Sequence, residues 1–113
     1  MKLKLNLTKG ELEAMVRIAK VFIYHSNSDR LREAMSIVDI YSFAEAFRMF
    51  CFKVGQRLLT VGLKERNKTT LTDMETLAFY HACMEWSAGD GTPYEAALSW
   101  KILEEIDRRL IEL

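Results

Sequence analysis

The sequence predicts an all-α chain, a compact antiparallel bundle of four to five helices with a short extended segment at its N-terminus. Three observations carry that reading. Apolar side chains recur every three to four positions through most of the 113 residues. Proline occurs once, so few positions are barred from a helix interior. A helix-start pattern, Ser or Thr with Glu three residues on, appears at Thr8–Glu11, Ser42–Glu45, Thr72–Glu75 and Thr92–Glu95. In that pattern the hydroxyl accepts from the backbone N–H three residues on. The Glu reaches back to the hydroxyl residue's own N–H, so two donors that a helix start leaves orphaned are paired. At the fourth start the next residue is Pro93, whose missing N–H costs nothing at the first helical position.

Taken in order, Lys2 to Leu7 alternates polar and apolar and places Leu3, Leu5 and Leu7 on one side of a strand. A lone strand needs a partner. It can pair with its copy across a dimer or lie extended over the bundle, and the sequence favours the second. From Thr8 a helix is predicted to about His25. Leu12, Met15, Val16, Ala19, Phe22 and Ile23 form its apolar face, opposite Glu13, Arg17, Lys20 and Tyr24. Ser26-Asn27-Ser28-Asp29 reads as a polar turn, with Ser28 or Asp29 capping a segment from Arg30.

Between Leu31 and Leu63 apolar residues occur all around the wheel, Phe43, Phe47, Phe50 and Val54 on one side and Met49, Phe52 and Leu59 on another. That predicts a helix enclosed by neighbours, either continuous or kinked near Val38 to Tyr41 with Ser42 as a second start. Lys64 to Thr70 breaks the pattern and reads as the main exposed loop. A further helix over Asp73 to Ser87 should stop at Ala88-Gly89-Asp90-Gly91. The last runs from Thr92 nearly to Leu113, with Leu98, Ile102, Leu103, Ile106 and Leu110 as its stripe. Leu7-Thr8-x-x-Glu11 recurs as Leu71-Thr72-x-x-Glu75. Duplication would explain this echo, and so would the shared physics of helix starts.

Half the residues are apolar and 28% are charged, a globular composition that fits one domain over residues 1–113. Charged side chains interrupt every hydrophobic window well short of the roughly 20 residues a membrane span needs. The N-terminus lacks the apolar centre of a secretory signal, so a cytoplasmic protein is expected. Cys51 and Cys83 lie in helical pattern without paired spacing and read as buried free thiols. Net charge is zero, which removes an overall pull toward nucleic acid. Residues 1–68 carry 13 Lys+Arg against 7 Asp+Glu, and residues 69–113 carry 3 against 9, so the halves stand at +6 and −6. They should attract, within one chain or between subunits.

Candidate sites are few. His81 and Glu85, one turn apart, share a face with Met74, Leu77 and Ala78 and could form a polar site in the bundle. Neither His25 nor His81 has Glu three residues before it, as a di-iron bundle would require, so no metal or cofactor is expected. Cys83 lies two residues from His81, where helical side chains diverge, a poor placement for a nucleophile and its base. There is no nucleophile elbow, phosphate-binding Gly-rich loop or zinc-ligand spacing, and no enzyme is expected. A distant third reading would build a site from His81, Glu85 and Asp39. The basic set Lys53, Arg57, Lys64, Arg66 and Lys68 is the one nucleic-acid footprint. Tyr41, Phe43, Phe47, Phe50, Phe52, Tyr80, Trp86, Tyr94 and Trp100 are an aromatic surplus for so small a chain, which suggests an interface. The sequence therefore points to a non-enzymatic protein-interaction or regulatory module, expected to homodimerise. The alternative is an accessory nucleic-acid-binding protein.

Overall fold

The computed structural model describes residues 3–59, 66–87 and 93–111, with side chains described except at 85–87, 93, 95 and 109–111. The element order is β1 (Leu3–Thr8), α1 (Lys9–Tyr24), α2 (Asp29–Ala34), α3 (Ile37–Leu58), β2 (Arg66–Leu71), α4 (Asp73–Ser87) and α5 (Pro93–Ile111). Among the described residues the protein is a mostly helical bundle of five helices with a small two-stranded antiparallel sheet.

Thr8 and Thr72 both cap as their sequences require. Thr8 Oγ1 accepts from Glu11 N at 3.2 Å while Glu11 Oε1 accepts from Thr8 N at 3.0 Å. At the second start Thr72 Oγ1 accepts from Glu75 N at 3.2 Å and Glu75 Oε1 from Thr72 N at 2.9 Å. Each cap follows a strand directly, so β1–α1 and β2–α4 are the same strand–cap–helix unit used twice. In the sheet Leu5 lies opposite Thr69, while Lys4 faces Thr70 and Asn6 faces Lys68. The shift that carries Thr8 onto Thr72 also carries Leu5 onto Thr69, Lys4 onto Lys68 and Asn6 onto Thr70. The two units are therefore related by a local two-fold axis through the Leu5–Thr69 pair. The helices repeat the relation in part: α1 packs chiefly on α3 as α4 packs on α5, but α3 also packs on α4 far more extensively than α1 does on α5.

Several expectations need correction. The predicted loop from Lys64 to Thr70 is β2 from Arg66 onward, and β1 pairs with it inside the chain rather than lying unpaired over the bundle. The break between α2 and α3 falls at Met35–Ser36, not near Val38 to Tyr41. Ser36 Oγ accepts from Asp39 N at 3.1 Å and is the true cap, while Ser42 sits inside α3 with Glu45 turned to solvent beside Arg48. Of the two caps that the sequence offered for α2, the structure uses Ser28. The start at Thr92 and the stop over Ala88 to Gly91 lie outside the described residues. Cys51 is half-buried and only Cys83 is fully buried; both are free thiols.

The core lies between the inner face of the sheet and α1, α3, α4 and α5. Leu3, Leu5, Leu7 and Leu71 supply the sheet side. Phe79 of α4 stands between Phe47 and Phe50 of α3, with ring centroids 4.9 and 4.8 Å away and steeply inclined, the edge-to-face arrangement that aromatic quadrupoles favour. Phe22 of α1 extends the cluster to Phe47 at 5.1 Å. Gly10 leaves room for α5 to approach α1, because a Cβ there would stand 3.1 Å from the Tyr94 hydroxyl.

Candidate functional site

α3 is the longest helix described, and only one side of it is enclosed. Ile40, Ala44, Phe47, Phe50 and Val54 are buried, as a helical stripe demands. Opposite them, Val38, Tyr41, Met49, Phe52 and Leu59 are exposed, Tyr41 by 56%, Met49 by 60% and Phe52 by 73%. This corrects the expectation of a helix enclosed all round. The exposed apolar residues follow one line. With Glu45 and Gln56 they are spaced three and four apart from Val38 to Leu59, the spacing that keeps a seam on one face of a helix.

Where α3 passes the start of α4, the line borders a groove of about 670 Å³ lined by Tyr41, Met49, Phe52, Lys53 and Met74 among others. Met74 and Leu77 are exposed and His81 is half-buried, so of the face grouped with His81 only Ala78 lies in the core. The buried row of α4 is Glu75, Ala78, Phe79, Ala82 and Cys83. That row was legible as small and aromatic residues at helical spacing, but Glu75 at its head hid it.

Lys53 closes the groove. Its Nζ donates to Glu75 Oε1 at 2.9 Å, to Glu75 Oε2 at 3.1 Å and to the Thr70 carbonyl at 3.2 Å, joining α3, β2 and α4. Glu75 is only 2% exposed, and its carboxylate serves both as the α4 capping group and as the counter-ion of Lys53.

The remaining sequence candidates are dispersed. Arg57 Nη1 donates to the Lys68 carbonyl at 3.4 Å, and Arg66 and Lys68 are exposed on β2, whereas Lys64 lies outside the described residues. The pairing places Lys4, Asn6, Arg66 and Lys68 on the outer face of the sheet. His81 is half-buried on α4, its ring 5.9 Å from Phe43 and 6.4 Å from Phe22. The Glu85 side chain is outside those described. Asp39 is exposed at the start of α3. Among the described residues, no three His, Cys, Asp or Glu side chains gather into a set able to hold a metal ion.

Burial pushes the Cys83 thiol up to about 12. Burial also raises Cys51, opposed by the charge of Lys20. Neither thiol is arranged as a nucleophile, since that needs a lowered value. Among the described residues no helix is long and apolar enough to cross a membrane. The chemistry of the site is therefore that of apolar contact edged by charge. No family model, curated protein or solved structure matches the chain.

Proposed function

We propose that the protein is a non-enzymatic interaction module that self-associates through the exposed face of α3. The observation that carries this reading is the line of Val38, Tyr41, Met49, Phe52 and Leu59, interrupted by Glu45 and Gln56, on the solvent side of one helix. Large exposed apolar patches with aromatic and Met side chains mark interaction surfaces in soluble proteins.

The charges along α3 select a second copy as the occupant. Its first half bears Asp39 and Glu45, and its second half bears Arg48 and Arg57, Lys53 being held by Glu75 within the chain. Two copies of α3 packed antiparallel about a two-fold axis bring the acidic half of each over the basic half of the other. In the same register Val38 falls level with Leu59 of the second copy, and the two Met49 residues meet near the axis. In that register the apolar ends and centre of the seam meet, Phe52 lies level with Glu45 and Tyr41 with Gln56 of the second copy, and the acidic and basic halves face each other.

Size-exclusion chromatography with light scattering tests it. The wild type should be a dimer. Phe52→Glu should be a monomer with an unchanged circular dichroism spectrum, because the position is exposed and the substitution disturbs only the seam. A wild-type chain that stays monomeric up to millimolar concentration sinks the proposal, and one that pairs only with an added amphipathic helix shows that the occupant is another protein.

A second reading rests on the outer face of the sheet, where strand pairing gathers Lys4, Arg66 and Lys68 into a basic patch suited to nucleic-acid phosphates. Binding of an oligonucleotide that weakens steeply with salt, and weakens further on Lys68→Glu, would support it; salt-independent binding would refute it.

A further inference from the structure

A second cleft, of about 660 Å³, opens between α1, α2 and the middle of α4. It shares no lining residue with the groove along α3, so it stands or falls independently of self-association. Its volume lies within the range usual for small-molecule sites. Ile18, Phe22 and Leu31 give it an apolar floor, and its described lining adds three nitrogen-bearing side chains, His25, Arg30 and His81, with no carboxylate among them.

The state of those nitrogens is what calls for a ligand. His81 is held in place by ring contacts alone, edge-on to Phe22 and tilted against Phe43. Neither of its ring nitrogens hydrogen-bonds a described residue, so both are open to the cleft or to solvent. Arg30 makes no ion pair with a described carboxylate either, which leaves its fork of donors open to solvent at the mouth. His25 is exposed beside them, its ring packed edge-on against Tyr24. Three nitrogen-bearing side chains therefore line a pocket whose floor favours hydrocarbon. A planar anionic group satisfies the first feature and an apolar body the second.

We infer that this cleft binds a small amphipathic anion, a monocarboxylate on an aliphatic or aryl body. The carboxylate is taken by Arg30 with the imidazoles of His25 and His81, and the body lies on Ile18, Phe22 and Leu31. The charged head sets orientation, and the buried body supplies most of the affinity through removal of apolar surface from water.

Sodium decanoate is the probe, titrated below its micellar concentration into the full chain by calorimetry and followed by amide chemical shifts. Saturable one-to-one uptake is expected, with shifts clustered on α1, α2 and α4. Decanol, with the same body and no charge, should bind at least roughly tenfold more weakly, as should decanoate to Arg30→Glu. Ala34→Trp, at an exposed position on the cleft wall, should abolish uptake by filling the space. Both substituted residues are exposed, so an unchanged circular dichroism spectrum separates loss of the site from loss of the fold. Absence of decanoate binding, equal binding of decanol, or full uptake by either variant overturns the inference.

Discussion

Glu75 serves two structures with one carboxylate, and the consequences can be read from its neighbours. It caps α4 and neutralises Lys53, whose ammonium also holds the Thr70 carbonyl. Removing Lys53 leaves a carboxylate that is 2% exposed without its cation, and a stranded buried charge costs far more than a pair contributes. Lys53→Met should therefore destabilise the fold by about 3 kcal/mol in urea titration. Adding Glu75→Gln should recover part of that, because the amide oxygen still caps α4 without a charge to strand. Thr69 presents the opposite case. Its Oγ1 is buried on the inner face of the sheet, opposite Leu5, with no hydrogen-bond partner among the described residues. Thr69→Val keeps the branched shape that a strand favours and removes the unpaired hydroxyl, so stability should rise by about 1 kcal/mol.

At the scale of elements, legibility followed how local the determining interactions are. α1 and α4 were readable to within a residue because their starts are written in a four-residue reciprocal cap, and the bonds of both caps are present. The same pattern at Ser42 misled. A capping box stabilises a start only where the chain turns, and the Ser36 hydroxyl three residues before Asp39 had already begun the helix. β2 was hidden for another reason. Arg66-Asn67-Lys68-Thr69-Thr70-Leu71 holds one apolar residue, so its strand character comes from pairing with β1, a contact that no local window contains.

The groove was half legible. Met49, Phe52 and Leu59 were recognisable as a second apolar side of α3, but whether a neighbour covers that side is a tertiary fact. The α1 cap also carries a pH prediction. Burial pushes the Glu11 carboxyl up, but Lys101 Nζ at 2.7 Å and the Thr8 amide outweigh burial and hold it below its ordinary value of 4.5. A carboxylate lowered in the fold contributes stability above its unfolded value, and that share disappears as pH falls through the folded one. Glu11→Gln should cost about 0.5–1 kcal/mol at neutral pH, and its melting temperature should converge with the wild type in acid.

For the whole molecule, the question is whether the two strand–cap–helix units fold as one body. The +6 and −6 halves do not bind them in any simple way. Among ion pairs that cross between halves, Lys53–Glu75 follows the imbalance and Lys101–Glu11 opposes it. Geometry binds them more firmly. The only described partner of β1 is β2, so neither unit can keep its strand without the other. Phe79 of the second unit fills the space between Phe47 and Phe50 of α3, so separating the halves opens the centre of the aromatic core. Burial shared in this way makes partial unfolding nearly as costly as complete unfolding, which is the condition for a single cooperative transition. Both tryptophans, Trp86 and Trp100, lie in the second half, whereas far-ultraviolet circular dichroism reports helices from both. Urea unfolding followed by tryptophan fluorescence and by circular dichroism should therefore superimpose. A fluorescence midpoint displaced from the dichroism midpoint would mean that the second unit unfolds by itself, and that the sheet and Phe79 do not couple the halves.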